Sequence, residues 1–165
     1  MTSAVEVVNW TRVAIHPAAV AAAVDVVLAA EGAAGAEVGV TFVGERRMRV
    51  LNREHRGRDQ VTDVLAFPLE EADEVAAAEG SATADAVEGA GPPRLLGDVV
   101  ICARQALRQA RATGLPPGVE LAVLLVHGTL HLLGYDHETD AGRMALRQAG
   151  LLEEVRWEAL VVAPD

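Results

Sequence analysis

The sequence predicts a single α+β domain in which a small mixed four-stranded sheet is packed with about five helices. The chain has 165 residues and a mass of 17.3 kDa, which leaves room for one domain and little else. A hydrophobic fraction of 51% and a mean hydropathy of +0.22 are sufficient for a sizeable core. Short valine-rich segments and longer helical patterns follow each other in the order β-α-β-α-β-β-α-α-α.

The first half of the chain predicts strands and helices in alternation. A proline at position 17 stands in the likely first turn of a helix that ends before Gly32, because proline suits a helix start and glycine a helix end. Gly44 closes a valine-rich strand, and Pro68 stops another. The predicted strands are 4–10, 37–43 and 61–67, and the predicted helices are 17–31 and 45–55.

The second half predicts a strand at 95–102, a helix at 103–113 that ends at Gly114, and then the most apolar segment of the chain. This segment, 119–133, is apolar on nearly every side, so it is expected to be the central buried helix, with Gly134 after it. The remainder predicts one or two C-terminal helices, 138–149 and 151–162, with Gly150 as the break.

Charge is distributed unevenly. The formal net charge is −10, which argues against a protein that coats nucleic acid without specificity. All 14 basic residues are arginine, and the segment 45–58 holds six of them against two glutamates. The segment 70–91 has seven acids and no base, and a low-complexity stretch at about 71–93 is expected to be a flexible acidic insert. Any contact with nucleic acid must therefore be local.

The cellular setting is predicted from what the sequence lacks. Cys102 is the single cysteine, so it cannot form an internal disulfide. The first ten residues show no basic segment followed by an apolar one, and no apolar run approaches the roughly 20 residues that span a bilayer. We expect a cytoplasmic protein without a membrane partner.

Three of the five histidines lie within eleven residues, in the segment HGTLHLLGYDH. His127 and His131 are four residues apart on the predicted central helix, which places their Cβ atoms roughly 5–6 Å apart on one face. Gly134 permits the reversal of the chain that can return His137 to the same point. Three neutral imidazoles leave a fourth position for water, the pattern of a catalytic zinc site with one ion per chain.

The spacing of these histidines matches that of the metzincin peptidases, H-E-x-x-H-x-x-G-x-x-H, with one departure. Gly128 stands where those enzymes have the glutamate that acts as general base, so peptide hydrolysis by their route is not expected. Single histidines on apolar helices are commonly core residues, but three of them with a suitably placed glycine favour a metal. Asp136 can orient an imidazole or form a turn, and Tyr135 is expected to pack.

The arginine-rich segment offers a way to bind an anionic substrate. Arg56 lies in a glycine-containing sequence that we expect to be a loop after the helix, and it is the stronger functional candidate. For Arg46, Arg47 and Arg49, a solvated helix face is at least as good an interpretation. Thr62 and Asp63 are expected to form a turn or the hydrogen bonds of a strand entry.

Three segments in this order, LNREHRGRDQVTDVLAFP, LLGDVVIC and HGTLHLLGYDH, resemble the bacterial YbeY family of endoribonucleases. The resemblance covers roughly residues 51–137 and implies a zinc-containing α+β fold. It places the zinc ligands of the family on His127, His131 and His137, and its functional arginine on Arg56. His55 and Ala66 depart from the aromatic residue and the serine that the family usually has there.

The resemblance also implies a function. It predicts cleavage of single-stranded RNA, maturation of the 3′ end of 16S rRNA and a role in ribosome quality control. The implied partners are the 16S rRNA precursor, the small ribosomal subunit and assembly proteins such as the GTPase Era. Either a zinc-bound water or the RNA 2′-hydroxyl is expected to attack the phosphodiester while Arg56 stabilises charge, with the general base unassigned. The alternatives are an assembly factor with a structural zinc and a metal-dependent hydrolase of another substrate.

Overall fold

Four strands form one mixed sheet in the computed structural model, which describes residues 4–69, 94–136 and 138–162. The strands are β1 (Val5–Asn9), β2 (Glu37–Val43), β3 (Val64–Pro68) and β4 (Leu95–Cys102). Their order across the sheet is β1-β2-β4-β3, with β1, β2 and β4 parallel and β3 antiparallel to β4. The predicted acidic insert at 71–93 and the predicted ligand His137 lie outside the described residues.

Five helices are described, in the predicted order. They are α1 (Pro17–Ala30), α2 (Glu45–Arg56), α3 (Ala103–Thr113), α4 (Pro117–Leu132) and α5 (Arg143–Leu152). A single 3₁₀ turn, Trp157–Ala159, follows α5. The predicted α+β class with a four-stranded mixed sheet is therefore confirmed. None of the described helices has both the length and the apolar character needed to cross a bilayer.

Apolar side chains on the two faces of the sheet enter two different clusters. Val40, Phe42 and Ile101 lie in the main core, together with the buried residues of α1 and α4. On the opposite face, a smaller cluster includes Met48 of α2 and Val100 of β4. The sheet thus lies between α1 and α4 on one side and α2 on the other, and α4 is the central buried helix that its composition predicts.

The predicted break of the C-terminal helix at Gly150 is wrong. Gly150 lies inside α5, and residues 138–142 form turns instead of helix. Asp140 determines where α5 begins, because its Oδ2 accepts the backbone N–H of Met144 at 2.8 Å. The described residues after α5, up to 162, form no second α-helix, and Val161 makes an isolated antiparallel bridge with Ile15.

The third strand begins later than the sequence predicts. It starts at Val64 rather than at position 61, and it includes Pro68, which was expected to stop it. The Asp63 carboxylate accepts the backbone N–H of Val64 at 2.8 Å, and the Asp63 carbonyl accepts that of Cys102 at 2.8 Å. The expectation that Asp63 makes strand-entry hydrogen bonds is confirmed.

Helix α4 lies close to the sheet at Gly128. A Cβ atom placed on Gly128 would lie only 2.6 Å from Cγ1 of Val99 in β4, well inside van der Waals contact. Any side chain at position 128 would push α4 and the sheet apart. The glutamate of the metzincin pattern therefore has no room here.

We expect Gly128→Ala to destabilise the fold by about 1–3 kcal/mol, because the added methyl group overpacks the contact with Val99. Gly150→Ala is a matched control, since it also replaces a helical glycine but meets no atom within 4 Å. It should leave stability unchanged or raise it by about 0.5–1 kcal/mol. Urea denaturation followed by circular dichroism measures both changes, and equal effects of the two substitutions would contradict the packing argument.

Candidate metal centre

Two imidazoles converge near the C-terminal end of α4. Nε2 of His127 lies 3.1 Å from Nε2 of His131, and the ring centroids are 4.6 Å apart at an interplanar angle of 79°. Both side chains are half-buried. The expected placement of the two histidines on one face, with their rings directed to a common point, is observed.

Hydrogen bonds on the far side of each ring determine which nitrogen carries the proton. Nδ1 of His131 lies 2.9 Å from the carbonyl oxygen of Tyr135, and Nδ1 of His127 lies 3.0 Å from Oε1 of Gln148. Both of these oxygens only accept hydrogen bonds, so each Nδ1 donates its proton. In the neutral rings, each Nε2 therefore directs a lone pair into the gap between the histidines.

This donor set fits a zinc ion. Tetrahedral zinc with zinc–nitrogen distances of about 2.0–2.1 Å holds neighbouring nitrogen ligands about 3.3 Å apart, close to the observed separation of the two Nε2 atoms. A cation between them also relieves the repulsion of two facing lone pairs. The described residues contain no set of three such ligands. His127 and His131 could supply two, and the predicted third, His137, lies outside the described residues.

The turn after α4 orients His131. Gly134 adopts a φ of 98°, a conformation that favours glycine, and the chain reverses there as the sequence predicts. The reversal returns the backbone N–H of Tyr135 to the carbonyl of Leu130, at 3.1 Å, and directs the Tyr135 carbonyl to the imidazole. Tyr135 also packs against the core, as expected.

The hydroxyl of Tyr135 ties the turn to α1. It donates a hydrogen bond to Oε2 of Glu31 at 3.0 Å. Burial raises the pKa of this hydroxyl, and the neighbouring Glu31 carboxylate raises it further. The hydroxyl therefore stays protonated and keeps its donor role at neutral pH.

Asp136 forms a turn, and two other groups orient the imidazoles. The Asp136 carboxylate accepts the backbone N–H of Glu138 at 3.0 Å, so it serves the turn. The groups that orient the imidazoles are the Tyr135 carbonyl and the Gln148 side chain. Sequence reasoning missed Gln148 because it lies on α5, 21 residues from His127, where no local spacing points to it.

Arg56 lines the same cavity as the two histidines. The cavity has a volume of about 310 Å³, and its other lining residues include Gly128 and Asp63. Arg56 is the last residue of α2 rather than part of a loop, because the helix continues to Gly57, whose left-handed φ of 69° ends it. The fold thus brings the predicted arginine and two predicted metal ligands to one site.

Two amide side chains stabilise the surroundings of this cavity. Asn52, buried in α2, donates through Nδ2 to the carbonyl of Gln60 at 2.9 Å, which ties down the loop after Arg56. Gln109 donates through Nε2 to Asp63 at 3.1 Å and to Glu120 at 2.7 Å. The hydrogen bond from Gln109 thereby holds the Asp63 side chain in the wall of the cavity. The sequence predicted only the strand-entry hydrogen bonds of Asp63 and not this position.

The other arginines of α2 differ in their surroundings. Arg49 makes two hydrogen bonds to Asp59, at 2.8 and 3.1 Å, and these bonds lower the pKa of that carboxyl. Both side chains are exposed, so the pair contributes little to stability. Arg46 and Arg47 are exposed on the helix, as the solvated-face interpretation expects.

The chain is similar to known proteins over most of its length. The family model described as Endoribonuclease YbeY matches residues 8–156. The chain belongs to this family. A relative from Anaeromyxobacter sp. (strain Fw109-5), named Endoribonuclease YbeY, is 49% identical over 138 residues, which cover 82% of this chain and 62% of that protein. A relative of the same name from Moorella thermoacetica is 48% identical over 132 residues, covering 77% of this chain and 78% of its own length.

A solved structure has the same fold. The solution structure of TM1509 from Thermotoga maritima covers 93% of this chain and 90% of its own, with a TM-score of 0.60 and 26% sequence identity. The matched regions cover only part of the length of these relatives. The chain spans 62% of the Anaeromyxobacter protein and 72% of a relative from Geobacillus sp. (strain WCH70) that is 45% identical over 121 residues.

We expect Gln148→Ala to weaken zinc binding by about 10–100-fold, because the Nδ1 proton of His127 loses its acceptor and the ring loses its orientation. Competition with a chromophoric chelator measures the affinity. Gln105→Ala is the control, since this side chain contacts Gln109 on α3 and not a histidine. Unchanged zinc affinity in Gln148→Ala would show that the glutamine does not support a ligand.

Proposed function

We propose that this chain is a zinc-dependent endoribonuclease that cuts single-stranded RNA, and that it acts in maturation of the 16S rRNA 3′ end and in ribosome quality control. The observation that carries the proposal is the pair of Nε2 atoms, 3.1 Å apart, in one cavity with Arg56. Membership of the family and the name of the relatives, Endoribonuclease YbeY, support an RNA substrate.

The proposed metal site consists of His127, His131 and the predicted ligand His137, with one zinc ion per chain. When bound, the ion would supply Lewis acidity toward a phosphoryl oxygen and would acidify water. Two groups outside the metal site orient the imidazoles: the Gln148 side chain contacts Nδ1 of His127, and the Tyr135 carbonyl contacts Nδ1 of His131. These hydrogen bonds keep both Nε2 lone pairs directed into the cavity.

Arg56 is the proposed phosphate ligand. Its guanidinium keeps its charge at every working pH and matches two phosphoryl oxygens at once. It can therefore orient the scissile phosphodiester beside the histidines and stabilise the charge that develops on the phosphoryl oxygens. Gly128 leaves no room for a carboxylate base on α4, which disfavours the peptidase alternative.

The proposed partners are those that the family resemblance implies, and the charge distribution is compatible with them. With a net charge of −10, the chain must contact RNA through local arginine-rich surfaces. We propose that the small ribosomal subunit and assembly proteins such as the GTPase Era deliver it to the 16S rRNA precursor in the cytoplasm. Delivery by these partners would allow the chain to act on RNA that it binds only weakly by itself.

We expect Arg56→Ala to reduce the rate of cleavage of a precursor 16S 3′-end RNA by about 10²–10³-fold, because a charged donor to the phosphoryl group is lost. Arg53→Ala is the matched control, an exposed arginine on the same helix that does not line the cavity. Removal of zinc by a chelator should abolish cleavage, and added zinc should restore it. Equal cleavage by wild type, Arg56→Ala and chelated protein, all folded by circular dichroism, would contradict the proposal.

The ends of the RNA products should identify the nucleophile. Attack by the RNA 2′-hydroxyl leaves a 2′,3′-cyclic phosphate, whereas attack by water leaves none. Mass spectrometry of the fragments distinguishes the two routes. Retention of biological function by folded ligand variants would instead favour the assembly-factor alternative.

A further inference from the structure

A groove of about 820 Å³ lies on the face of the sheet opposite to the metal site. Helix α2 covers one end of this face, where Met48 and Val43 are buried, and leaves the rest open. The residues of the groove that carry distinctive chemistry are Trp10, Thr41, Arg47, His55, Phe67 and Asp98. None of them is among the residues that line the metal cavity.

The floor of the groove is formed by side chains of β2, β4 and β3 that lie next to each other across the sheet, in rows perpendicular to the strands. Asp98 of β4 is paired with Gly39 on one side and Phe67 on the other. A Cβ atom on Gly39 would lie 2.2 Å from Oδ1 of Asp98, so the carboxylate occupies the space that a side chain of β2 would take. In the next row, Thr41 is paired with Val100. Among the lining residues of this floor, Asp98 contributes the one carboxylate.

Aromatic rings stand on two sides of this floor. Trp10, directly after β1, is 77% exposed, which is a large apolar surface to leave in water. On the other side, the rings of His55 and Phe67 make an edge-to-face contact with centroids 4.8 Å apart at 72°. Exposed aromatic rings such as that of Trp10 are the surfaces on which the bases of single-stranded nucleic acids stack.

The charge beside the groove complements an RNA backbone. Arg47 lines the groove itself, and Gly44 is shared with a neighbouring cavity of about 640 Å³. Glu45 lies in that neighbouring cavity and forms an ion pair with Arg108. The arginines that line it are Arg12, Arg104, Arg108 and Arg111. In a chain of net charge −10, an arginine-lined cavity thus adjoins the aromatic groove at Gly44.

The groove also adjoins the metal cavity across β3. Ala66 and Pro68 line the metal cavity, whereas Phe67 between them lines the groove, because alternate side chains of a strand point to opposite faces. The same division occurs in α2, where Arg56 faces the cavity and His55 the groove. Since β3 is last in the strand order, a chain that passes over its edge can reach both.

We propose that this groove binds the bases of the single-stranded RNA whose phosphodiester lies in the metal cavity, an inference that rests on the proposed function. One base stacks on Trp10, Arg47 pairs with a backbone phosphate, and the Asp98 carboxylate accepts a hydrogen bond from a ring or exocyclic N–H of a base. The groove thereby gives the nuclease its preference for single strands, because only unpaired bases can enter it.

The test is the affinity of a short 2′-O-methyl RNA single strand for the zinc-loaded protein, measured by fluorescence anisotropy, with gel electrophoresis confirming that the RNA stays intact during the measurement. Trp10→Ala should raise Kd about tenfold through loss of one stacked base, and Trp10→Phe should recover most of the affinity. Arg47→Ala should also weaken binding, and added salt should reduce the difference from wild type.

Two matched controls accompany these variants. Leu146→Ala removes another exposed apolar side chain, 78% exposed on α5, and Arg46→Ala removes the neighbouring arginine of α2 that does not line the groove. Both should bind the RNA as wild type does. RNA should also quench tryptophan emission in the wild type, and Trp10→Phe, which retains Trp157, should lose this quenching.

The results separate this inference from the proposed function. If wild type cleaves and binds RNA while Trp10→Ala and Arg47→Ala bind equally well, the groove assignment is overturned and the nuclease stands. If wild type binds RNA through Trp10 but cleaves none, the groove assignment is supported and the nuclease fails. If Trp10→Ala changes only the particle mass in light scattering, the groove is a protein interface and the inference is wrong.

Discussion

The close approach of α4 to the sheet at Gly128 is the constraint on which the site depends. Because a glycine faces Val99, the helix lies near enough to β4 for His127 and His131, on either side of it along the chain, to line one cavity with β3 and the end of α2. The same contact leaves no space for a side chain at position 128, where a metzincin has its catalytic carboxylate. One packing requirement thus explains both the placement of the histidines and the absence of that base.

Orientation of the imidazoles comes from groups that the histidine motif does not contain. Gln148 reaches His127 from α5, and the Tyr135 carbonyl reaches His131 because Gly134 reverses the chain. Such hydrogen bonds select one tautomer in each ring and hold the lone pairs in position before any ligand arrives. The site is therefore organised by tertiary contacts as much as by the spacing of its ligands.

Most of the element order could be predicted because its signals are local. Pro17 at a helix start and Gly114 at a helix end act through backbone conformation alone, and the structure places both as expected. The predicted break at Gly150 is wrong, because α5 continues through this glycine to Leu152. The return of Val161 to Ile15 is a tertiary contact that local spacing does not reveal. The motifs predicted that His127, His131 and Arg56 would lie together, and they line one cavity. The position of Gln148 and the wall position of Asp63 arise only in the folded chain.

The central claim is that His127 and His131 bind one ion through their Nε2 atoms. The most direct measurement is a crystal structure of the protein grown with zinc, with anomalous data collected on both sides of the zinc absorption edge. The account predicts one anomalous peak per chain, about 2.0–2.1 Å from both Nε2 atoms. A folded protein with the two rings in place and no peak between them, or with zinc bound through Nδ1, would contradict it.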